Sequence, residues 1–258
     1  MKVSLKVGVP GACEAAARGD VVVVIDALRA SVTITSALIL GAVKVVPVLT
    51  VAEARAYVGQ EGYLVAGERG GVQIEGFHFG NSPTELWRQA TEVRGKTLVL
   101  TTSSGTRCVE AARGGAQCPE PCPEPRRRVV EGATVLAGAL PNATALAQAA
   151  LDLARERGRD IALIAAGVNG QAAVEDLFAA QVIAQRLVAM GAVLAEGEWD
   201  DHAAESEAAE VLKNSLSGQK LRGLGYGEDV AFCAQIDVFD VVPIYRDDGF
   251  VAFPQRKR

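Results

Sequence analysis

Apolar positions along this chain cluster into short unbroken runs separated by longer mixed segments. Val21-Val22-Val23-Val24-Ile25 is the clearest run. Five successive β-branched residues predict a strand buried on both faces of a sheet. Residues 44–48, 64–66, 97–100, 134–137 and 161–165 predict strands on the same grounds. Between them, spacing near 3.6 residues predicts helices over 31–40, closed by Gly41, over 51–58, up to about residue 112, over 142–157 and over 174–190. The opening MKVSLKVGVP reads as a strand leading into a turn. Residues 199–224 read as polar helix, followed by a short helix near Asp229 and two strands at 241–244 and 250–253. Strand and helix alternating in this way predict an α/β fold, a mostly parallel sheet flanked by helices. The chain 1–258 reads as one α/β unit, and a boundary near 113–132 would divide it into two similar lobes. There Cys118 to Pro125 alternate prolines through CPEPCPEP, a loop or insertion because proline removes ladder donors.

The longest of the uncharged apolar runs that shape these strands is far below the ~20 residues of a membrane span. The first residues lack the apolar core and cleavage site of an export signal, so the expected location is cytoplasmic. Net charge is −5, against the basic face that nucleic-acid backbone requires. Arg126-Arg127-Arg128 and Arg256-Lys257-Arg258 read as solvated surface. Five cysteines, an odd count, argue against a disulfide framework. Cys118 and Cys122 lack the second ligand pair that zinc needs and read as free thiols; Cys108 and Cys233 read as packing residues.

In α/β sheets ligands gather where strands end. Residues 21–25 run into Asp26-Ala27-Leu28-Arg29-Ala30-Ser31: Asp26 could hold a metal and Arg29 an anion, or the two could simply cap a helix as an ion pair. Residues 64–66 run into Gly67-Glu68-Arg69-Gly70-Gly71, acid beside base between glycines. Asn81-Ser82-Pro83 is a turn and a helix entry. Residues 97–100 run into Thr101-Thr102-Ser103-Ser104-Gly105-Thr106-Arg107, five hydroxyls, a glycine and an arginine suited to cradling a phosphate or sulfonate. Asp176 could complete a hard-cation site, or serve only the helix dipole. GxSxG and GxxxxGK[ST] are absent, which excludes a nucleophile-elbow hydrolase and a P-loop. Leu28 stands where an aspartyl phosphatase needs its second acid. The remaining oxygen-rich set favours magnesium or manganese.

Taken together, IDALRASVTITSALILGAVKVVPVLTVAEA, AGERGGVQIEGFHFGNSPTE and GKTLVLTTSSGTR resemble the 2-phosphosulfolactate phosphatases, with AAGVNGQAAVEDL and residues 225–233 as weaker matches in the same order. The resemblance implies an α/β phosphatase of coenzyme M biosynthesis that uses Mg²⁺ to hydrolyse a small anionic phosphate ester. With the strand-end residues this gives a working mechanism in which Asp26 and Glu68, with Asp176 as a third candidate, hold magnesium, Asp26, Glu68 and His78 are the catalytic set, and Glu68 or His78 protonates the leaving alkoxide. Substrate binding is expected from Arg29, Ser31, Arg69, Asn81, Ser82, Thr101, Thr102, Ser103, Gly105, Thr106 and Arg107. A homodimer is compatible with this picture. Departures are His78 where the family has Asp after GF, Ser103-Ser104 within TTSSGT, and the proline-rich extra length. The alternatives are a phosphatase or phosphotransferase for another phosphorylated hydroxy acid, and a non-catalytic anion-binding protein.

Overall fold

The computed structural model describes residues 1–114, 134–195, 197–200 and 203–254. The proline-rich stretch with Cys118 and Cys122, most of the suggested boundary, and both basic runs lie outside them. In chain order, β1 (Lys2–Val7) leads into α1 (Gly8–Arg18), then β2 (Val21–Ile25), α2 (Ala30–Ile39), β3 (Lys44–Pro47) and α3 (Val51–Arg55). Next come β4 (Tyr63–Arg69), β5 (Val72–Gln73), α4 (Pro83–Arg88), α5 (Ala90–Val93), β6 (Thr97–Thr101) and α6 (Gly105–Ala112). Then follow β7 (Thr134–Gly138), α7 (Ala143–Arg157), β8 (Ile161–Ala165), α8 (Val174–Ala189) and β9 (Val193–Leu194). Three short helices, α9 (Ala208–Asn214), α10 (Leu216–Gly223) and α11 (Gly227–Cys233), precede the hairpin β10 (Pro243–Arg246) and β11 (Gly249–Ala252).

All of the strands join one sheet, in the order β5-β4-β6-β3-β11-β10-β7-β2-β8-β1-β9. The α/β expectation is therefore met. Parallel pairing is confined to two blocks, β4-β6-β3 and β7-β2-β8-β1-β9. The hairpin β10-β11 sits between them and pairs antiparallel with β7 on one side and β3 on the other. Three antiparallel steps separate β7 from β3, so the two blocks run in opposite directions.

Burial explains the strands. Every residue of β2, β7 and β8 is buried, as expected for parallel strands covered on both faces. Each fully buried Val, Ile or Leu contributes about 1.5–3 kcal/mol. The helices on the two faces form two large apolar cores, one holding α7 and α8 and the other α1, α2 and α6. Crossovers knit the blocks together: α2, which leaves β2, packs on β3 and α4, whereas α6, which leaves β6, packs on α1 and β2.

Two stretches depart from the sequence reading: 199–224 carries the separate helices α9 and α10 rather than one polar helix, and a helix stands near the N-terminus. Residues 8–18 form α1 rather than a turn; Gly8, Pro10 and Gly11 all lower helix propensity, but Pro10 lies in the first turn, where no intrahelical N–H is lost. Gly11 is required there because a Cβ would stand 2.6 Å from that of Lys6. The argument against disulfides is also corrected in one respect: Cys13, in α1, is disulfide-bonded. Cys108 and Cys233 are free and buried, as the packing reading requires, and burial pushes the Cys108 thiol up to about 12.

Candidate active site

The crossover helices bring two strand-end turns face to face. Gly105, the first residue of α6, lies so close to the start of α2 that a Cβ on it would stand 2.7 Å from Asp26 Oδ2 and 3.0 Å from the Ala30 Cβ. Only glycine allows this approach. Asp26 Oδ1 accepts the Ala30 N–H at 3.0 Å, and the backbone N–H of Gly105 also donates to this carboxylate. One buried carboxylate thus caps two helices from opposite blocks. Burial raises its pKa from 3.8 to about 6, and the nearby charges of Glu68 and Glu175 push it the same way.

Glu68, at the end of β4, joins two turns. Its Oε2 accepts the Gly71 N–H and its Oε1 the Ser103 N–H, both at 2.7 Å. Asp176, in the first turn of α8, does the same for two others: Oδ1 accepts from Ala27 N at 2.7 Å and Oδ2 from Gly167 N at 2.8 Å. Burial and the neighbouring Asp26 raise the Asp176 pKa well above 3.8. Glu175, the residue before it, is also buried.

The cradle at 101–107 divides into an inner and an outer part. Thr102 and Thr106 are buried and bond to each other: the Thr106 N–H donates to Thr102 Oγ1 at 3.2 Å, and the Thr106 hydroxyl to the Thr102 carbonyl at 3.1 Å. Ser103 and Arg107 are exposed. Arg69, also exposed, donates to the Glu68 carbonyl at 2.6 Å and to Thr101 Oγ1 at 2.9 Å, which lays its guanidinium along the rim.

Several expected roles change. Arg29 is not a free anion-binding cation. It is buried, donates to Asp229 Oδ2 at 2.5 Å and to the Gly71 carbonyl at 2.9 Å, and lies over the Tyr226 ring. Asp229 Oδ1 meanwhile accepts from Ser82 Oγ at 2.9 Å and from Thr84 Oγ1 at 2.6 Å. Ser82 also caps α4, so it belongs to this clamp. Ser31 is local scaffolding, accepting the Asp26 N–H and donating to the Val24 carbonyl. His78 does not join the carboxylates: its Nδ1 accepts the Val65 N–H at 3.0 Å, three residues and about 10 Å along β4 from Glu68. The carbonyl of the buried Asn81 side chain has no hydrogen-bond partner among the described residues.

The donors available to a divalent ion are all oxygens, as magnesium prefers. Asp26, Glu68, Glu175 and Asp176 are buried, and among the described residues none forms a salt bridge. A cation would relieve that concentration of negative charge. Three of these acids already hold backbone N–H groups, and among the described residues no group of three or more His, Cys, Asp or Glu side chains is placed to hold a metal. Among the described residues, Asp26, Glu68 and Asp176 thus do not together enclose a divalent ion. A groove of about 1060 Å³, lined by Pro10, Phe178 and Trp199 among others, contains none of the expected site residues.

Known proteins match this frame along its length. The family model for 2-phosphosulfolactate phosphatases matches residues 9–118 and 126–248. The chain belongs to the 2-phosphosulfolactate phosphatase family. It is similar to the 2-phosphosulfolactate phosphatase of Methanothermobacter thermautotrophicus, at 37% identity over 87% of this chain and 86% of the relative. It is also similar to the probable 2-phosphosulfolactate phosphatases of Carboxydothermus hydrogenoformans and Thermotoga maritima. Each is 34% identical, over 88% of this chain and 87% of the relative for the first, and 89% and 90% for the second. The family match omits residues 119–125, the prolines that read as extra length. It includes the strand-end turns of both blocks, so the facing turns lie within what the family shares.

Proposed function

We propose that this chain hydrolyses the phosphomonoester of 2-phospho-3-sulfolactate, releasing 3-sulfolactate and inorganic phosphate in the cytoplasm, as a step of coenzyme M biosynthesis. The observation that carries the reading is the phosphatase family match, which runs through both strand-end turns that meet at Gly105. In the reaction an oxygen from water bonds to phosphorus, the ester P–O bond breaks and the alkoxide takes up a proton.

Each element of the site has a task in this scheme. The 101–107 turn offers the exposed Ser103 and half-buried Ser104 hydroxyls to the phosphate oxygens, since its N–H groups at 103, 105 and 106 are already bonded to Glu68, Asp26 and Thr102. Arg69 and Arg107, both exposed at the rim, attract the carboxylate and sulfonate. Glu68 fixes the distance between the β4–β5 turn and the cradle through its bonds to Gly71 and Ser103. It acts there as an acceptor, which suits anchoring better than proton donation. Magnesium, if bound, would neutralise charge on the phosphoryl oxygens, and Asp26, Glu68 and Asp176 are the carboxylates that would hold it.

The test compares phosphosulfolactate with phospholactate and phosphoglycerate by kcat/KM, with and without EDTA. Preference for the sulfonate of about tenfold or more, abolished by chelation, is expected. Equal rates would overturn the named substrate, and full activity in EDTA would overturn the metal. A second reading, another phosphorylated hydroxy acid, is favoured by one observation: with Arg29 committed to Asp229, fewer cations remain for a triply anionic substrate.

A further inference from the structure

The Gly71 peptide is gripped at both of its polar groups. Its N–H donates to Glu68 Oε2 at 2.7 Å, and its carbonyl accepts from Arg29 Nη2 at 2.9 Å. A Cβ on Gly71 would stand 3.1 Å from Leu224 Cδ1 and 3.5 Å from Leu221 Cδ2, so α10 closes a third direction. The other oxygen of Glu68 accepts the Ser103 N–H at 2.7 Å. Arg29 is set in turn by Asp229, whose Oδ2 accepts from Nη1 at 2.5 Å, and by the Tyr226 ring, 4.5 Å from the guanidinium carbon. Asp229 is itself pinned to the start of α4, because its Oδ1 accepts from Ser82 Oγ, Thr84 Oγ1 and the Thr84 N–H. Four hydrogen bonds therefore run unbroken from Asp229 through Arg29, Gly71 and Glu68 to the exposed Ser103 of the cradle. Stability alone does not account for the pair, since a buried ion pair often adds nothing over apolar residues of similar volume. What it supplies is direction: a planar fork aims one donor at a carboxylate and another at a carbonyl.

We propose that Asp229 is a positioning residue for the phosphate cradle. By aiming the Arg29 fork at the Gly71 carbonyl it holds the Gly71 N–H on Glu68, and Glu68 in turn fixes the backbone at Ser103. The Ser103 hydroxyl is then already oriented when a phosphate oxygen arrives. The proposal rests on the phosphatase reading for the anion that Ser103 meets.

The test is calorimetric titration of the full-length protein with inorganic phosphate in the presence of Mg²⁺, for the wild type and Asp229→Asn. Both are held at a temperature where circular dichroism shows them folded. The amide sets an NH₂ group against the Arg29 donors or against those of Ser82 and Thr84, so one side of the clamp opens. Phosphate binding is expected to weaken about tenfold. The Gly71 and Ser103 amide resonances should move while those of β1 stay in place, a pattern that lost stability alone would not produce. If Asp229→Asn does not fold, Thr84→Val decides: it removes one anchor of the carboxylate and should weaken phosphate binding about twofold or more. Wild-type phosphate affinity or an unmoved Ser103 amide in the folded variant would overturn the proposal, as would the absence of phosphate binding by the wild-type chain. Substrate hydrolysis is measured in parallel. Turnover of phosphosulfolactate with Asp229-independent phosphate binding would leave the phosphatase reading standing and remove this one. Asp229-dependent phosphate binding without turnover would do the reverse.

Discussion

The turn after β2 and the turn after β6 have the same construction, a parallel strand running into a helix start, yet the fold uses them differently. At 26–31 nearly every polar group is spent within the protein: Asp26 caps two helices, Ser31 closes the backbone and Arg29 is neutralised by Asp229. At 101–107 the inner threonines are spent in the same way, but Ser103 and Arg107 remain exposed. Similar residue types thus became framework on one side and contact surface on the other. The deciding factor is what packs above each turn. α11 and the β4–β5 turn reach Arg29 through Asp229 and Gly71, whereas no bond from another helix reaches Arg107 among the described residues.

The contrast can be broken at several points. Asp26→Asn keeps the shape and one acceptor for the two helix N–H groups but removes the charge. It should lower kcat/KM on the order of 10²–10³-fold with the fold intact by circular dichroism, and retention of activity would make Asp26 a cap only. Asp229→Ala leaves the Arg29 guanidinium buried and unpaired. It should destabilise the protein by about 3–5 kcal/mol, measured by urea unfolding, whereas a change below about 0.5 kcal/mol would show Arg29 to be dispensable as framework.

A gentler probe is pH. In the metal-free protein Asp26 titrates near 6 when folded and near 3.8 when unfolded, so the folded state holds its proton more tightly. Stability should fall as pH rises from about 4 to about 6 and then level off, and Asp26→Asn should remove that slope. A slope of the opposite sign would contradict the burial of this group. Smallest in effect, Arg69→Gln or Arg107→Gln should raise KM by about tenfold with stability changed by less than about 0.5 kcal/mol. An unchanged KM would take that arginine off the binding surface.

Much of the fold can be read along the chain because its central strands are buried on both faces. β2 and β8 coincide with unbroken apolar runs, and β6 and β7 extend theirs by a single residue. The two-residue strands β5 and β9 carry no pattern long enough to detect. The turns 26–31, 67–71 and 101–107 are also visible, since hydroxyls, glycines and paired charges crowd the strand ends. Partner choice is not visible. Arg29 meets a carboxylate 200 positions away, and nothing local marks Asp229 as its counterion. The glycine at 105 was legible as cradle chemistry, but its reason is a close approach to another block.

The hairpin wedged between the opposed blocks has a consequence for assembly. Among the described residues, 243–252 are the only bridge within the sheet from β7 to β3, and they leave the ribosome after the other described strands. During synthesis the crossover helices α2 and α6 can already pack across the two blocks, but the sheet becomes continuous only when this final ribbon slides into its slot. The continuous sheet that carries the facing strand-end turns is therefore a late product of biogenesis, and lesions in this ribbon should trap a half-joined chain.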